Sequence, residues 1–336
     1  MKSNMHRLKA LEKIRNENFF AFEKIASYLN HIPTLLTKEI MDEISGGVAE
    51  NEELCFTAFL STALCENDTE SSILEREYLK KSVKKLDPKE YYKNPYFKNI
   101  KIKEASLGEW NLGYQSYMPY EGFIYDDIIS LPNHREIPRL GFFSEKFTFP
   151  TVFENGIEWM AIKPNEISTM APHLEKMAGS VAIFGLGMGY FAYMASLKNE
   201  VSQITIVERD QNVISLFEKF IFPQFENKDK IKIVKSDAFD FVENEMPKHK
   251  FDCAFVDLWH DVSDGVELYI KMKKLEAKSP KTKFSYWIED SIISNIRWHI
   301  FDGIVKRYND GKFDEPYESV QKYLSDEYLK EFVKFL

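Results

Sequence analysis

Three alternating glycines raise the first question about chemistry in this 336-residue chain. The run "VAIFGLGMGYF", residues 181–191, places Gly185, Gly187 and Gly189 directly after an apolar, β-branched stretch. Glycine weakens strands and helices, so a strand that ends in such a cluster usually lets a backbone come close to something flat or phosphorylated. A tight strand-to-helix turn without a ligand is the alternative.

Acidic residues follow three further apolar stretches, where ligands bind in open α/β sheets. Glu208 closes "QITIVE", at a place where a carboxylate can accept hydrogen bonds from both hydroxyls of a ribose. Asp237 and Ala238 follow "KIKIVK", and an acid beside a small residue can receive an adenine amino group there. Asp257 closes "FDCAFVD". Each acid alone is more simply explained as a helix N-cap, but all of them stand at the ends of predicted strands, which favours an adenosine-type ligand.

The elements that must position these residues are alternating strands and helices from residue 166 onward. The predicted strands are "SVAIFG", "QITIVE", "KIKIVK", "FDCAFVD" and "KFSYWIE". Strands that alternate with helices of this length predict a parallel sheet covered on both faces. We therefore expect an α/β, Rossmann-like, doubly wound and mainly parallel sheet over residues 166–336.

Two other segments precede this domain. Residues 1–99 carry apolar positions at three- and four-residue spacing, which predicts an α-helical N-terminal cap. Residues 100–165 are rich in Tyr, Gly and Trp, and we interpret them as a small β segment that links the cap to the sheet. Within it, "KFTFPTVFENGIEWMAI" predicts a hairpin with Asn155 and Gly156 as its two-residue turn.

Composition limits the classes of function. The hydrophobic share of 44% suits a protein with a real core, and the net charge of −9 argues against wrapping a nucleic-acid backbone. The three cysteines show no metal-ligand pairing, and an odd count suits a reducing compartment. The charged N-terminus and the lack of a long apolar run predict a cytoplasmic protein that does not bind membranes. We expect no metal, and a homodimer is left open.

Taken together, the motifs "GLGMG", "VERD", "SDA" and "VDLWHD" resemble the cofactor half of the class I S-adenosylmethionine-dependent methyltransferase fold. They are most similar to its spermidine synthase-like branch. That branch has a glycine loop, an acid closing the second strand, a "D-A" pair after the third strand and an acid after the fourth. The resemblance covers about residues 140 to 290 and leaves the helical first hundred residues unexplained.

The resemblance implies S-adenosyl-L-methionine as the cofactor and assigns roles to individual residues. It places Gly185, Gly187 and Gly189 at the methionine part, Glu208 at the ribose, and Asp237 with Ala238 at the adenine. Asp257 would contact the cofactor and face the reacting centre.

Residues after the fourth strand are the candidates for substrate chemistry. His260 is a candidate base because histidine side chains titrate near neutral pH. The alternative is a solvated or packed histidine in a loop. Trp259 is a candidate for stacking on substrate or cofactor, or for filling the core. Asp261, with Asp257 and Asp264, is a candidate for binding one ammonium group.

A nicotinamide dehydrogenase is the obvious rival for a glycine loop with a later acid. Its fingerprint requires Gly or Ala at position 190, where this chain has Tyr190. The spacing is therefore G-x-G-x-G, which argues against a dinucleotide site.

Several departures separate the chain from aminopropyltransferases. These enzymes carry an aspartate in the glycine loop that helps hold an amine, and the matching residue is Met188. They also carry "D-S-S-D-P" after the fourth strand, where this chain has "DLWHDVSDG". A further departure is from the fold as a whole, which usually ends with an antiparallel hairpin of two strands. After "KFSYWIED" the pattern is mostly helical, so either the hairpin is missing or strands from residues 100–165 extend the sheet.

The sequence therefore predicts an S-adenosylmethionine-dependent methyltransferase that acts on a small-molecule acceptor, with nucleic acid disfavoured. The first alternative is an aminopropyltransferase of the spermidine synthase type. The second is a non-catalytic cofactor-binding protein on the same fold.

Overall fold

Helices fill most of the first hundred residues, as their apolar spacing predicts. The structure, a computed structural model, describes residues 2–313 and 315–336. Local signals set the helix ends: the Thr37 side chain accepts a hydrogen bond from the Ile40 N–H, and Gly46 ends the same helix with φ of +63°. The elements are α1 (Lys2–His31), α2 (Lys38–Ser45), α3 (Glu52–Ala63), α4 (Asp68–Ile73), α5 (Lys80–Ser82), β1 (Lys84–Leu86), α6 (Pro88–Tyr92) and α7 (Pro95–Asn99).

Strands dominate the next segment. They are β2 (Ala105–Leu107), β3 (Trp110–Tyr117), β4 (Phe123–Ser130), β5 (Glu136–Phe143), β6 (Phe147–Glu154) and β7 (Ile157–Ala161). The predicted hairpin is confirmed, because β6 and β7 pair antiparallel around Asn155 and Gly156, whose φ values of +52° and +80° suit a two-residue turn. One sheet has the order β1-β5-β4 and another has the order β2-β3-β6-β7.

The predicted parallel sheet is present. Its strands are β8 (Gly179–Phe184), β9 (Val201–Glu208), β10 (Ile231–Lys235), β11 (Cys253–Val256) and β12 (Lys283–Tyr286), in the order β10-β9-β8-β11-β12 with every pairing parallel. The helices of this part of the chain are α8 (Pro164–Lys176), α9 (Tyr190–Ser196), α10 (Gln211–Leu216), α11 (Ala238–Asp240), α12 (Val262–Leu275), α13 (Glu289–Asn309), α14 (Tyr317–Tyr323) and α15 (Asp326–Phe332). This is the expected Rossmann-like α/β fold.

Short helical turns complete the secondary structure. Turns of π-helix lie at Leu74–Leu79, Phe217–Ile221 and Phe241–Glu245. Turns of 3₁₀-helix lie at Ala49–Asn51, Phe222–Gln224, Lys228–Lys230, Met246–Lys248, Glu276–Lys278 and Val333–Phe335.

The chain forms two compact units that are each discontinuous in sequence. The first comprises Met1–Pro88, Ser116–Phe147 and Ile293–Leu329, and the second comprises Lys89–Gln115, Thr148–Ile292 and Lys330–Leu336. The prediction of three consecutive segments, 1–99, 100–165 and 166–336, is a different division and stays a prediction.

Each unit has its own hydrophobic core. In the first unit the rings of Phe56 and Phe142 stack with centroids 4.4 Å apart. In the second, Phe191 of α9 stacks on Phe255 of β11 at 3.8 Å. All four residues of β11 are buried, as expected for a central parallel strand covered on both faces.

The structure decides the expectation about the C-terminal hairpin. Among the described residues no strand follows β12, and the strands of residues 100–165 belong to other sheets, so the usual terminal hairpin is absent and nothing replaces it in the parallel sheet. None of the helices in the described part of the chain is long and apolar enough to cross a membrane.

Candidate functional site

A cavity of about 400 Å³ opens where the strand order of the parallel sheet reverses, between β8 and β11 of the second unit. Ligands of open α/β sheets bind at such a reversal, beyond the carboxyl ends of the strands. The loops after β8, β9, β10 and β11 contribute to its wall, together with β7 and the start of α8. The predicted site residues in this wall are Gly185, Gly187, Glu208, Asp237, Ala238, Asp257, Trp259 and His260.

Two of the three glycines present bare backbone to the cavity. Gly185 has φ of +99°, and a Cβ on it would stand 2.1 Å from the carbonyl oxygen of Asp257. Gly187 has φ of +49°, and its Cβ would lie 2.9 Å from the Sδ of Met160. A side chain at either position would strain the loop and clash with a neighbouring residue, so only glycine fits where this loop lines the cavity.

Gly189 and Met188 of the same loop serve packing instead. A Cβ on Gly189 would stand 2.3 Å from the ring of Phe217, and Gly189 is not among the described residues of the cavity wall. The Met188 side chain is fully buried, outside that wall, and its carbonyl accepts a 2.7 Å hydrogen bond from the Tyr96 hydroxyl. Because Met188 does not face the cavity, its apolar side chain gives no argument against aminopropyl transfer.

Glu208 links the end of β9 to the glycine loop. Its Oε2 accepts a hydrogen bond from the Leu186 N–H at 3.1 Å, and its Oε1 accepts one from the Asp210 N–H at 2.8 Å. A carboxylate oxygen has two lone pairs, so each oxygen can accept one more hydrogen bond. The carboxylate is thus fixed in direction and still able to accept two hydroxyls.

Asp237 combines capping with an open acceptor. Its Oδ1 accepts hydrogen bonds from the N–H groups of Phe239 at 2.8 Å and Asp240 at 3.1 Å, which makes it the N-cap of α11. Its Oδ2 has no such bond within residues 2–313 and 315–336. Asp237 is therefore a helix N-cap, as the simpler alternative predicts, and its second oxygen can still bind a ligand beside the small Ala238.

Asp257 faces the cavity together with a second carboxylate, Glu166 of α8. The Glu166 residue is only 7% exposed. Neither carboxylate has a hydrogen-bond partner in the part of the chain that the structure describes. Burial raises the pKa of both groups, and the charge of Asp257 raises the pKa of Glu166 further, while Lys163 opposes the rise.

Sequence reasoning missed Glu166 and its neighbours. Pro164 and Glu166 stand in the first turn of α8, where proline and an acid are favoured for helix stability alone, so the sequence carries no signal of a site there. Lys163 and Glu158 also line the cavity, and they form an ion pair with Nζ and Oε1 at 2.5 Å. Only the folded chain brings these groups to Asp257.

The residues after β11 have different surroundings. His260 is exposed, and its Nε2 lies 3.4 Å from the Glu158 carbonyl oxygen. Trp259 is 4% exposed and lies against Gly265, whose Cβ would be 3.0 Å from the indole Cγ, so Trp259 fills core while touching the cavity. Asp261 forms a capping box at the start of α12 with Asp264 and is outside the described cavity wall. The chemical roles expected for these side chains stay predictions.

No group of three or more His, Cys, Asp or Glu in the described residues could hold a metal ion. The polar groups of the cavity wall include carboxylates, bare loop backbone, the ion-paired Lys163, Arg209, Asn165, Ser236 and His260.

Comparison with protein families identifies the region around this cavity. Residues 161–277 match the family described as "Spermine/spermidine synthase domain". The match contains the glycine loop, Glu208, Asp237 and Asp257, and covers about a third of the chain. This part of the chain has the S-adenosylmethionine-dependent methyltransferase-like fold, in its spermidine synthase branch, and the match indicates a transferase.

Solved structures give weaker similarities. A spermidine synthase in complex with the transition state analogue AdoDATO is 18% identical with a TM-score of 0.30, over 41% of this chain and 48% of that one. A spermidine synthase from Thermotoga maritima is 18% identical with a TM-score of 0.30, over 43% and 54%. A putative O-methyltransferase from Klebsiella pneumoniae is 14% identical with a TM-score of 0.24, over 30% and 44%.

The chain thus spans about half the length of these three structures. Similarity at such scores carries no argument about activity. No curated protein matches the sequence.

Proposed function

We propose that the second unit transfers an aminopropyl group from a decarboxylated S-adenosylmethionine donor to a cationic amine. The observation that carries this proposal is the acidic character of the cavity beside Asp257. Glu158, Glu166 and Asp257 line it, and its nearby cation, Lys163, is already paired with Glu158. A cationic amine needs carboxylates for charge-assisted hydrogen bonds. The match of residues 161–277 to the spermine/spermidine synthase family supports the same activity.

The rest of the cavity fits the adenosyl part of such a donor. Gly185 and Gly187 contribute bare backbone to the cavity wall. Glu208 offers two oxygens for ribose hydroxyls, and the Oδ2 of Asp237 is an acceptor for an adenine amino group. These residues would hold the donor so that its sulfonium faces Asp257.

The reaction needs an uncharged amine and an oriented donor. Asp257 accepts a proton from the ammonium, which frees the nitrogen lone pair. The nitrogen then attacks the propyl carbon bonded to sulfur, so a C–N bond forms, the C–S bond breaks and the electron pair stays on sulfur as a thioether. The protein contributes mainly orientation and electrostatics to such a displacement.

Methyl transfer from intact S-adenosylmethionine, the main prediction from the sequence, is a second candidate. Lys163 favours it, because a lysine beside the reacting end can pair with the donor carboxylate that decarboxylation removes. In that case Lys163 would exchange its partner Glu158 for the donor. The family match favours aminopropyl transfer over this alternative.

Product analysis by mass spectrometry tests the proposal. The protein is incubated with 1,4-diaminobutane and either decarboxylated or intact S-adenosylmethionine. We expect an aminopropylated product and tighter binding of the decarboxylated donor, and we expect Asp257→Asn to lower turnover about a hundredfold or more. The exposed Glu175 on α8 provides the control variant Glu175→Gln. A methylated product would establish methyl transfer, and tight binding of either donor without any product would establish a non-catalytic protein.

A further inference from the structure

Glu166 and Asp257 present an electrostatic problem that the proposed reaction does not by itself explain. Glu166 comes from the first turn of α8 and Asp257 from the end of β11, and both line one cavity. Within the described residues neither carboxylate has a hydrogen bond or an ion pair. Two unpaired carboxylates in a partly dry site do not both ionise readily, because each charge loses hydration and repels the other.

The surrounding groups do not remove this problem. Lys163 is the cation that lowers the pKa of Glu166, but its ammonium is paired with Glu158 of β7 at 2.5 Å. Tyr190 of α9 also interacts with Glu166, and burial raises the pKa of its hydroxyl to about 12, so it stays neutral. His260 is exposed at the cavity wall, next to Glu158. Arg209 also lines the cavity, but it is not among the groups that shift the pKa of Glu166 or Asp257, so with both ionised these two carboxylates would lack a cation of their own.

We propose that Glu166 and Asp257 share one proton in the ligand-free protein, and that a cationic amine bound in the cavity displaces this proton. The second half rests on the proposed function. Two interacting carboxyl groups titrate as a pair, so the second proton leaves at a higher pH than the first and one proton remains on the pair between the two steps. Glu166 is then a positioning residue, since it controls the charge of Asp257 without contacting the reacting carbon.

In this arrangement Asp257 would become a fully ionised base only when the amine substrate is bound. An ammonium group between the carboxylates favours their ionised forms, so the shared proton leaves to solvent as the amine binds. Asp257 is then fully ionised and accepts the proton of the ammonium, and the resulting amine attacks the donor. A neutral acceptor would not displace the shared proton, which would favour cationic acceptors.

Titration of the ligand-free protein tests the shared proton without any activity. Carboxyl ¹³C signals of labelled Asp and Glu are followed by NMR against pH. We expect Asp257 and Glu166 to titrate in two separate steps, one of them well above the usual carboxyl range near 4. In Glu166→Gln we expect the high step to vanish and Asp257 to titrate lower. The matched variant Glu175→Gln, an exposed change on the same helix, should leave both steps unchanged.

Titration of both carboxyls in the usual range, or an Asp257 titration unaffected by Glu166→Gln, would overturn the shared proton. Calorimetry tests the second half, with 1,4-diaminobutane added in the presence of 5′-methylthioadenosine in buffers of different ionisation enthalpy. We expect release of about one proton per amine bound near neutral pH, and none in Glu166→Gln. Binding without proton release would refute displacement. Failure of the diamine to bind would refute the amine site and the proposed function, while the NMR titration still decides whether the proton is shared.

Discussion

The Cα of Gly185 lies so close to the backbone of Asp257 that a Cβ on Gly185 would stand 2.1 Å from the Asp257 carbonyl oxygen. The two residues follow neighbouring parallel strands, β8 and β11, at the reversal of strand order. The loop that forms one side of the cavity is therefore pressed against the loop that carries the candidate base. A substitution at Gly185 would disturb both at once.

We expect Gly185→Ala to lower the free energy of unfolding by about 3 kcal/mol or more and to abolish binding of S-adenosyl ligands. The backbone would have to shift to relieve the overlap, and alanine is also strained at φ of +99°. Urea denaturation and calorimetry with S-adenosylhomocysteine measure the two effects.

Gly156→Ala is the matched control for Gly185→Ala. Gly156 has φ of +80° in the β6–β7 turn, but nothing lies within 4 Å of the position of its Cβ. This variant has the conformational strain without the overlap, so we expect a loss of only about 1 kcal/mol and intact ligand binding. Equal losses in the two variants would show that the contact with Asp257 has no special cost.

A second prediction concerns Glu208. We expect Glu208→Gln to weaken binding of S-adenosylhomocysteine by roughly tenfold to a hundredfold, because hydrogen bonds to a charged group contribute about 1.5–3 kcal/mol. The amide can accept from only one side, so the variant also loses the bond to the Leu186 or the Asp210 N–H.

Glu200 is exposed and directly precedes β9, the strand that ends in Glu208, so Glu200→Gln is the control. Calorimetry compares the two variants. If Glu208→Gln binds S-adenosylhomocysteine as tightly as the control does, Glu208 only stabilises the loop and does not bind the ligand.

The parallel sheet and the hairpin could be predicted because their signals are local. Apolar β-branched runs, a two-residue Asn155–Gly156 turn and acids at strand ends are readable within a few residues. Gly185, Gly187, Glu208 and Asp237, which the same local rules single out, line one cavity, and their cofactor roles stay predictions.

The direction of a side chain could not be predicted by the same means. Gly189 and Gly187 look alike in sequence, yet one meets the ring of Phe217 and the other lies at the cavity. Glu166 is an ordinary acid in a first helical turn until the fold brings it to Asp257. Such contacts depend on residues far apart in sequence.

A third prediction concerns the first unit, where Arg297 and Glu136 form a buried ion pair. Glu136 is fully buried and also accepts hydrogen bonds from Ser294 at 2.7 Å and Trp298 at 2.8 Å. We expect Arg297→Met to lower the free energy of unfolding by about 3–5 kcal/mol, because it leaves a buried carboxylate without its cation. Urea denaturation monitored by tryptophan fluorescence measures the loss.

The exposed pair of Arg7 and Glu318 supplies the comparison within the same unit. Arg7→Met should change stability by less than about 1 kcal/mol, since exposed ion pairs contribute little. Adding Glu136→Gln to Arg297→Met should recover part of the loss, because it removes the unpaired charge. If the double variant is as unstable as the single one, loss of packing rather than charge explains the effect.

The last prediction follows from the raised pKa values of the cavity carboxyls, about 8 for Glu166 and about 7 for Asp257. An ordinary carboxyl in the unfolded chain has a pKa near 4, so between these values the folded protein binds more protons than the unfolded one. Stability then falls as pH rises through this range, because folding is linked to proton uptake. The stabilisation that proton uptake by this pair contributes is fully present only below the pKa of these carboxyls in the unfolded chain.

Glu166→Gln removes one of the two carboxyls and should reverse this loss. We expect the variant to unfold at higher urea concentration than the wild type at about pH 8, by on the order of 1–3 kcal/mol, since one pKa unit corresponds to about 1.4 kcal/mol. The difference should shrink towards pH 5, where the wild-type pair holds its protons. Glu175→Gln, exposed on the same helix, should show no such pH dependence. A Glu166→Gln protein that is less stable at alkaline pH than the wild type would mean that the fold uses the ionised carboxylate, in contradiction to the unpaired geometry of the cavity.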